Sequence, residues 1–320
     1  EPGTLSIDDQ NETIPQLLTR LLNQAKDAEY DGRCIDAEQR QLERLQIVKN
    51  DPLSNANTFV RGNTYIELGK FYLRESSKQC QNCAVARSMG DEIGSDNQKT
   101  LVSYNFGRAR ECLQVACNDQ PNNWSIRELL GCLLHETGQD EEAGEAFQKS
   151  INTQLDQNNH DQGTINSYND DDFVVYDSDK LAPVTPISYA ILACHFSRLG
   201  QKLRCRKALR LAAKSFENGN YLPEVSTHGK PRRTYVLILS DAGIYLSQYG
   251  FINLASEALK LALTCEESAN TIANSRDEPS ITSPHIRHML KRCEANVSML
   301  SADTINNSVS YGLDSTLCSP

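Results

Sequence analysis

No run of about 18 apolar residues occurs in the chain, so no segment is built to span a bilayer. Positive charge is in short supply. Against 42 Asp and Glu stand 32 Lys and Arg, a formal net charge of −10. Nucleic acids and anionic membranes are held largely by neutralising phosphate, so this deficit argues against either as the main partner. No signal-peptide apolar core follows the opening Glu1-Pro2-Gly3, which reads as the start of a piece of a longer protein. The elements of catalysis are missing as well. No Gly-rich phosphate loop occurs, and no Ser/His/Asp set stands in a motif context. Asp170-Asp171-Asp172 lacks the alternating ligands and the bidentate Glu of a calcium loop. The pair Cys80-x-x-Cys83 has no second pair and no adjacent His, and the sequence places neither His285, His288 nor Cys293 beside it. The expectation is a non-enzyme with no catalytic, cofactor-binding or metal-ligating residue, no cofactor and no small-molecule substrate.

What is present points to helices and reduced thiols. Apolar residues make up 39% of the chain, enough for a thin core. Of the 11 cysteines, Cys112, Cys132, Cys194 and Cys205 fall at apolar helical positions. Buried free thiols act as small hydrophobes, and their number is odd, which fits a reducing, cytoplasmic setting.

One spacing recurs. After Trp124 come Leu130-Gly131, Leu134, Gly138, Ala143, Phe147 and Ser150. It returns as Tyr189, Leu192-Ala193, Phe196, Gly200, Cys205, Leu209, Ala212, and again as Leu239, Ala242-Gly243, Leu246, Gly250, Ala255, Leu259, Ala262. An earlier copy has Tyr65, Leu68-Gly69 and Tyr72 in its first helix, and Ala109, Leu113, Ala116 and Pro121 in its second. A weaker copy runs through Leu21, Ala25, Ala28, Gly32 and Ala37 and departs from the pattern at Gln41 and Arg44. Small residues at fixed points let two helices of a hairpin approach, and a glycine between them permits the left-handed turn. Large apolar residues fill the space between hairpins, which must stack to bury their faces.

This pattern resembles the tetratricopeptide repeat (TPR). The resemblance implies an all-α, right-handed α-solenoid of about five helical hairpins over residues 1–300, with long polar inserts near 79–100, 152–180 and 218–233. Ser283-Pro284, followed by an apolar stripe from Ile286 to Leu300, predicts a capping helix near 284–300. Residues 301–320 read as an extended or disordered tail. Thr13-Ile14-Pro15-Gln16 predicts a capping box at the other end. Some TPR proteins hold a terminal carboxylate with a Lys/Asn clamp. The corresponding positions here are Ile66, Lys70, Glu128, Cys132, Ala190, Cys194, Ser240 and Ile244, so groove contact with a partner is expected to be apolar and mixed polar.

The function implied is a protein–protein interaction scaffold. Two features are candidates for partner binding. Lys202, Arg206, Arg210 and Lys214 recur every fourth position, which places four like charges on one face of a helix. They await either an acidic partner or the Asp-rich insert of the same chain. Phe173 and Tyr176 belong to an apolar cluster inside that insert, either a docking strand or a patch folding back on the solenoid. The opening Leu-rich helix, Ala25-Lys26-Asp27-Ala28-Glu29-Tyr30 and the hairpin through Pro52 also resemble the C-terminal TPR region of cilia- and flagella-associated axonemal proteins, over residues 14–155. That resemblance implies a structural subunit of a ciliary axoneme or similar cytoskeletal assembly, with tubulin or axonemal subunits as partners. The alternative is a TPR regulatory or adaptor module of a larger enzyme or trafficking complex.

Overall fold

The computed structural model describes residues 12–159, 184–218, 231–272 and 282–297. Among these residues it contains twelve α-helices and no strand. Five antiparallel hairpins follow one another. They are α1 (Ile14–Tyr30) with α2 (Cys34–Asn50), α4 (Thr58–Ser88) with α5 (Glu92–Asp119), α6 (Trp124–Glu136) with α7 (Asp140–Asn159), α8 (Pro186–Arg198) with α9 (Lys202–Asn218), and α10 (Pro231–Gln248) with α11 (Ile252–Ile272). A single turn, α3 (Pro52–Ala56), links the first two, and α12 (Thr282–Val297) packs on α11. The molecule is an α-solenoid of TPR-like hairpins with a terminal capping helix.

The third hairpin shows why the spacing matters. Gly131 faces Phe147 so closely that a Cβ on it would lie 2.7 Å from the ring and 3.3 Å from Ala146 Cβ. The absent side chain is what lets α6 meet α7. Phe147 is 2% exposed, and burying such a ring contributes about 1.5–3 kcal/mol. Gly138 then ends α6 with φ 79°, a backbone that side chains with a Cβ rarely adopt. The turn is closed by Gly138 N–H donating to His135 O (3.1 Å) and Gln139 N–H donating to Leu134 O (2.8 Å). Glycines with positive φ stand at the same register at Gly32, Gly200 and Gly250. At the start of α1 the Gln16 side-chain oxygen accepts from Thr13 N–H at 3.0 Å and from the Thr13 hydroxyl at 2.8 Å. Pro15 sits in the first turn, where its missing N–H costs nothing.

The first insert differs from its expected loop. Residues 79–100 are largely helical: they lengthen α4 and α5 into a hairpin that turns at Gly90, φ 76°. Cys80 is therefore a buried helical residue rather than part of a surface loop. The second insert begins later than its composition indicated, because α7 continues to Asn159. The capping helix begins at Thr282, with Ile286 and Cys293 buried. The expected tail from 301 lies outside the described residues.

The hairpins do not form an open arc. The turn of the last one, α10–α11, reaches back across the array. The Ser77 hydroxyl of α4 donates to Ser247 O (2.9 Å), and a Cβ on Gly250 would lie 3.0 Å from Ser77 N. The Phe251 ring stacks with Phe106 of α5 at 6.5 Å between centroids. α12 also touches α4. One continuous apolar cluster runs from Ala28 to Cys293.

Candidate functional site

The closure decides which surfaces remain for partners. Ile66, Glu128, Cys132, Ala190 and Cys194 occupy the positions that line the groove of an open array, and all five are buried. The expected apolar and mixed-polar groove is filled by the chain itself over these copies. Apolar or small residues at most of these positions make that burial favourable. The remaining matching positions are less enclosed: Lys70 and Ser240 are half-buried and Ile244 is exposed.

Two acidic residues lie inside this closed face. The Glu128 carboxylate accepts from the Ser188 hydroxyl of α8, and Ser188 also receives the Gln154 amide at 3.1 Å. Burial pushes the Glu128 carboxyl up to about 7, opposed by the Ser188 hydrogen bond. Glu136, at the end of α6, accepts from the backbone N–H of Asn253 (2.8 Å) and Leu254 (3.4 Å). It caps the N-terminus of α11, satisfying donors that a helix start leaves open. Burial raises its carboxyl to about 7 as well, against those backbone donors. Both residues act in closure: each ties α6 to a helix of a later hairpin.

The basic residues of α9 sit on the opposite side. Lys202, Arg206 and Arg210 are exposed and Lys214 is half-buried. Cys205, Ala208, Leu209 and Ala212 turn inward. The helix thus presents one row of cations outward, as its four-residue spacing predicts. Arg206 and Arg210 form no ion pair among the described residues. Phe173 and Tyr176, and the acidic stretch around them, lie outside the described residues.

A third cluster escaped the sequence reading. His135 from the last turn of α6, Asp140 from the first turn of α7 and His195 from the last turn of α8 bring their ligand atoms together. His135 Nδ1 lies 3.1 Å from His195 Nδ1 and 3.4 Å from Asp140 Oδ1. Both imidazoles are buried, and desolvation, aided by the Arg198 charge, pushes His135 down to about 2. His195 is lowered by burial too. The two histidines stand sixty positions apart with no motif between them. Only the repeat register, which sets the end of one first helix beside the end of the next, connects them.

No protein-family model matches the chain, and no curated protein matches it. Among solved structures it is similar to the crystal structure of MamA protein, with a TM-score of 0.38 and 14% identity, covering 83% of this chain and 100% of that one. It is also similar to BtubC (BKLC) from P. vanneervenii, with a TM-score of 0.30 and 12% identity, covering 84% of this chain and 96% of that one. The fold class therefore rests on the hairpins themselves: an all-α repeat array, closed on its inner face and charged along one outer helix.

Proposed function

We propose that the chain is a non-enzymatic protein-interaction scaffold that receives an acidic protein surface along the outer face of α9. The observation that carries this is the outward row Lys202, Arg206, Arg210, with no ion pair to Arg206 or Arg210 among the described residues. Like charges four residues apart repel, so the row is mildly unfavourable until something acidic lies against it. It also reverses locally the sign of a chain with net charge −10. The inner face supports the same reading, since over the third and fourth hairpins Glu128, Cys132, Ala190 and Cys194 are buried and leave no room for a peptide.

The finer reading is a structural subunit of a ciliary axoneme, with the acidic tubulin surface as partner. It draws on the sequence resemblance of residues 14–155 and on the sign of the α9 face. A regulatory or adaptor module of a larger enzyme or trafficking complex would use the same fold, and flanking sequence separates the two.

The test is co-sedimentation with microtubules at graded ionic strength, comparing the parent with Arg206→Glu/Arg210→Glu. The expected outcome is binding that weakens with salt and is lost in the double variant, with an unchanged helical circular-dichroism spectrum. Equal sedimentation of parent and variant removes α9 as the docking face. Absence of any sedimentation removes tubulin as the partner.

A further inference from the structure

We propose that His135, Asp140 and His195 form a binding site for one zinc-class divalent transition-metal ion that pins the third hairpin to the fourth. Three protein atoms that share such an ion at bond lengths of about 2.0–2.1 Å stand about 3.3 Å apart at tetrahedral angles and about 2.9 Å apart at right angles. The separations here are 3.1 Å between the two Nδ1 atoms and 3.4 Å from His135 Nδ1 to Asp140 Oδ1. All three donor atoms lie within 4.8 Å of one another. These two separations are those of ligands around a common centre, with His135 Nδ1 at the shared apex, and the wider His195–Asp140 gap closes as the ion binds.

The donor set fits this class of ion. Two imidazole nitrogens and one carboxylate suit zinc and its neighbours in the first transition row. Magnesium and calcium prefer a cage of oxygens. Asp140 Oδ1 is buried and accepts no hydrogen bond. The nearest cation, Arg198, has its Nε 3.9 Å away and spends another N–H on His135 O at 3.2 Å. That oxygen is a spare acceptor beside two neutral rings. The His195 ring is held from behind. Phe147 packs edge-on to His195 at 5.5 Å, and a Cβ on Gly144 would lie 3.1 Å from His195 Nε2. Of the three residues only Asp140 is partly exposed, at 31% of its side chain, so an ion enters from that side and solvent completes its shell there.

The placement gives the ion a structural role. His135 precedes Glu136, which caps α11, and Asp140 opens α7. An ion shared by both and His195 would fix the α6–α7 turn against the end of α8. Cooperation with the closing hairpin follows, since the same turn holds α11. No electron transfer or group transfer is involved.

The test uses the full chain with reduced thiols, stripped by chelator and then titrated with zinc and with cobalt(II). The expected result is one equivalent bound, a rise in melting temperature, and a cobalt d–d band without thiolate charge-transfer absorption in the near ultraviolet. His195→Gln and Asp140→Asn should each abolish the melting shift. Cys80→Ser/Cys83→Ser should leave it intact. Asp140 is partly exposed at a helix start, so Asp140→Asn keeps the test valid if the buried His195 variant fails to fold. Lack of saturable one-to-one binding overturns the site, as does an unchanged shift in Asp140→Asn. A thiolate charge-transfer band, or loss of binding with Cys80 and Cys83, assigns the metal to cysteines instead and overturns it equally.

Discussion

A single missing methyl group sets the geometry of the third hairpin. A Cβ on Gly131 would lie 2.7 Å from the Phe147 ring, so either the ring or α7 would have to move. Phe147 is itself wedged against His195, so the ring has little freedom. Gly131→Ala should cost about 1–3 kcal/mol by overpacking. Gly107, in the middle of α5, has nothing within 4 Å of its would-be Cβ. Gly107→Ala should therefore gain about 0.5–1 kcal/mol from helix propensity alone. Urea denaturation of the two variants checks both signs. Gly131 was legible in the sequence because the repeat fixes which residues must be small. The residues that depart from the pattern were not. Gln41 and Arg44 in α2 are buried at 2% and 8% exposure, and nothing in their type announces it.

At the scale of elements, what the sequence concealed has physical causes. The stretch from Gln79 to Thr100 is rich in Gln, Asn and Ser and carries Gly90, the composition of a loop. Yet it continues two helices already nucleated in the core. Propagating a helix costs far less than starting one, so the hairpin extends and leaves Val85, Met89 and Ile93 exposed at its far end. The helix α9, by contrast, was readable in detail: period, buried stripe and charged face all followed from spacing. Its charge row makes a separable prediction. Lys202–Arg206 and Arg206–Arg210 are two repulsive pairs, each worth about 0.2–0.5 kcal/mol. Arg206→Gln removes both, so it should stabilise the isolated chain at low ionic strength, with the gain shrinking as salt is added. Thermal melts at two ionic strengths read this directly. A variant that is more stable alone and weaker in assembly marks a residue kept for binding rather than for folding.

At the scale of the molecule, closure replaces an open groove with a largely apolar inner face in which a few acidic groups are buried. The sequence identified the hairpins but not their return onto one another. Closure depends on contacts such as Ser77 with Ser247, 170 positions apart, which no local pattern encodes. Its energetic signature is a carboxyl held where it resists ionising. Glu128 is 4% exposed, and the groups around it bring no positive charge. Ser188 and Gln154 are neutral, and burial raises the Cys132 thiol and the Tyr245 phenol, keeping both protonated. The Glu128 carboxyl rises from 4.5 to about 7 on folding. A raised folded value means the native state holds its proton where the unfolded chain has released it. The stability this group contributes is complete below about 4.5 and is lost as pH climbs through about 7. Glu128→Gln preserves an acceptor for Ser188 and has no proton to lose. Relative to the parent, it should therefore gain stability as pH rises across that window, by up to roughly 3 kcal/mol, and no further above it. Taking the difference between parent and variant cancels the titration of the remaining groups, including the histidine cluster. Denaturant midpoints from pH 4 to 9, in the presence of chelator, measure that difference. A flat difference would mean that water reaches Glu128 and that the inner face is open.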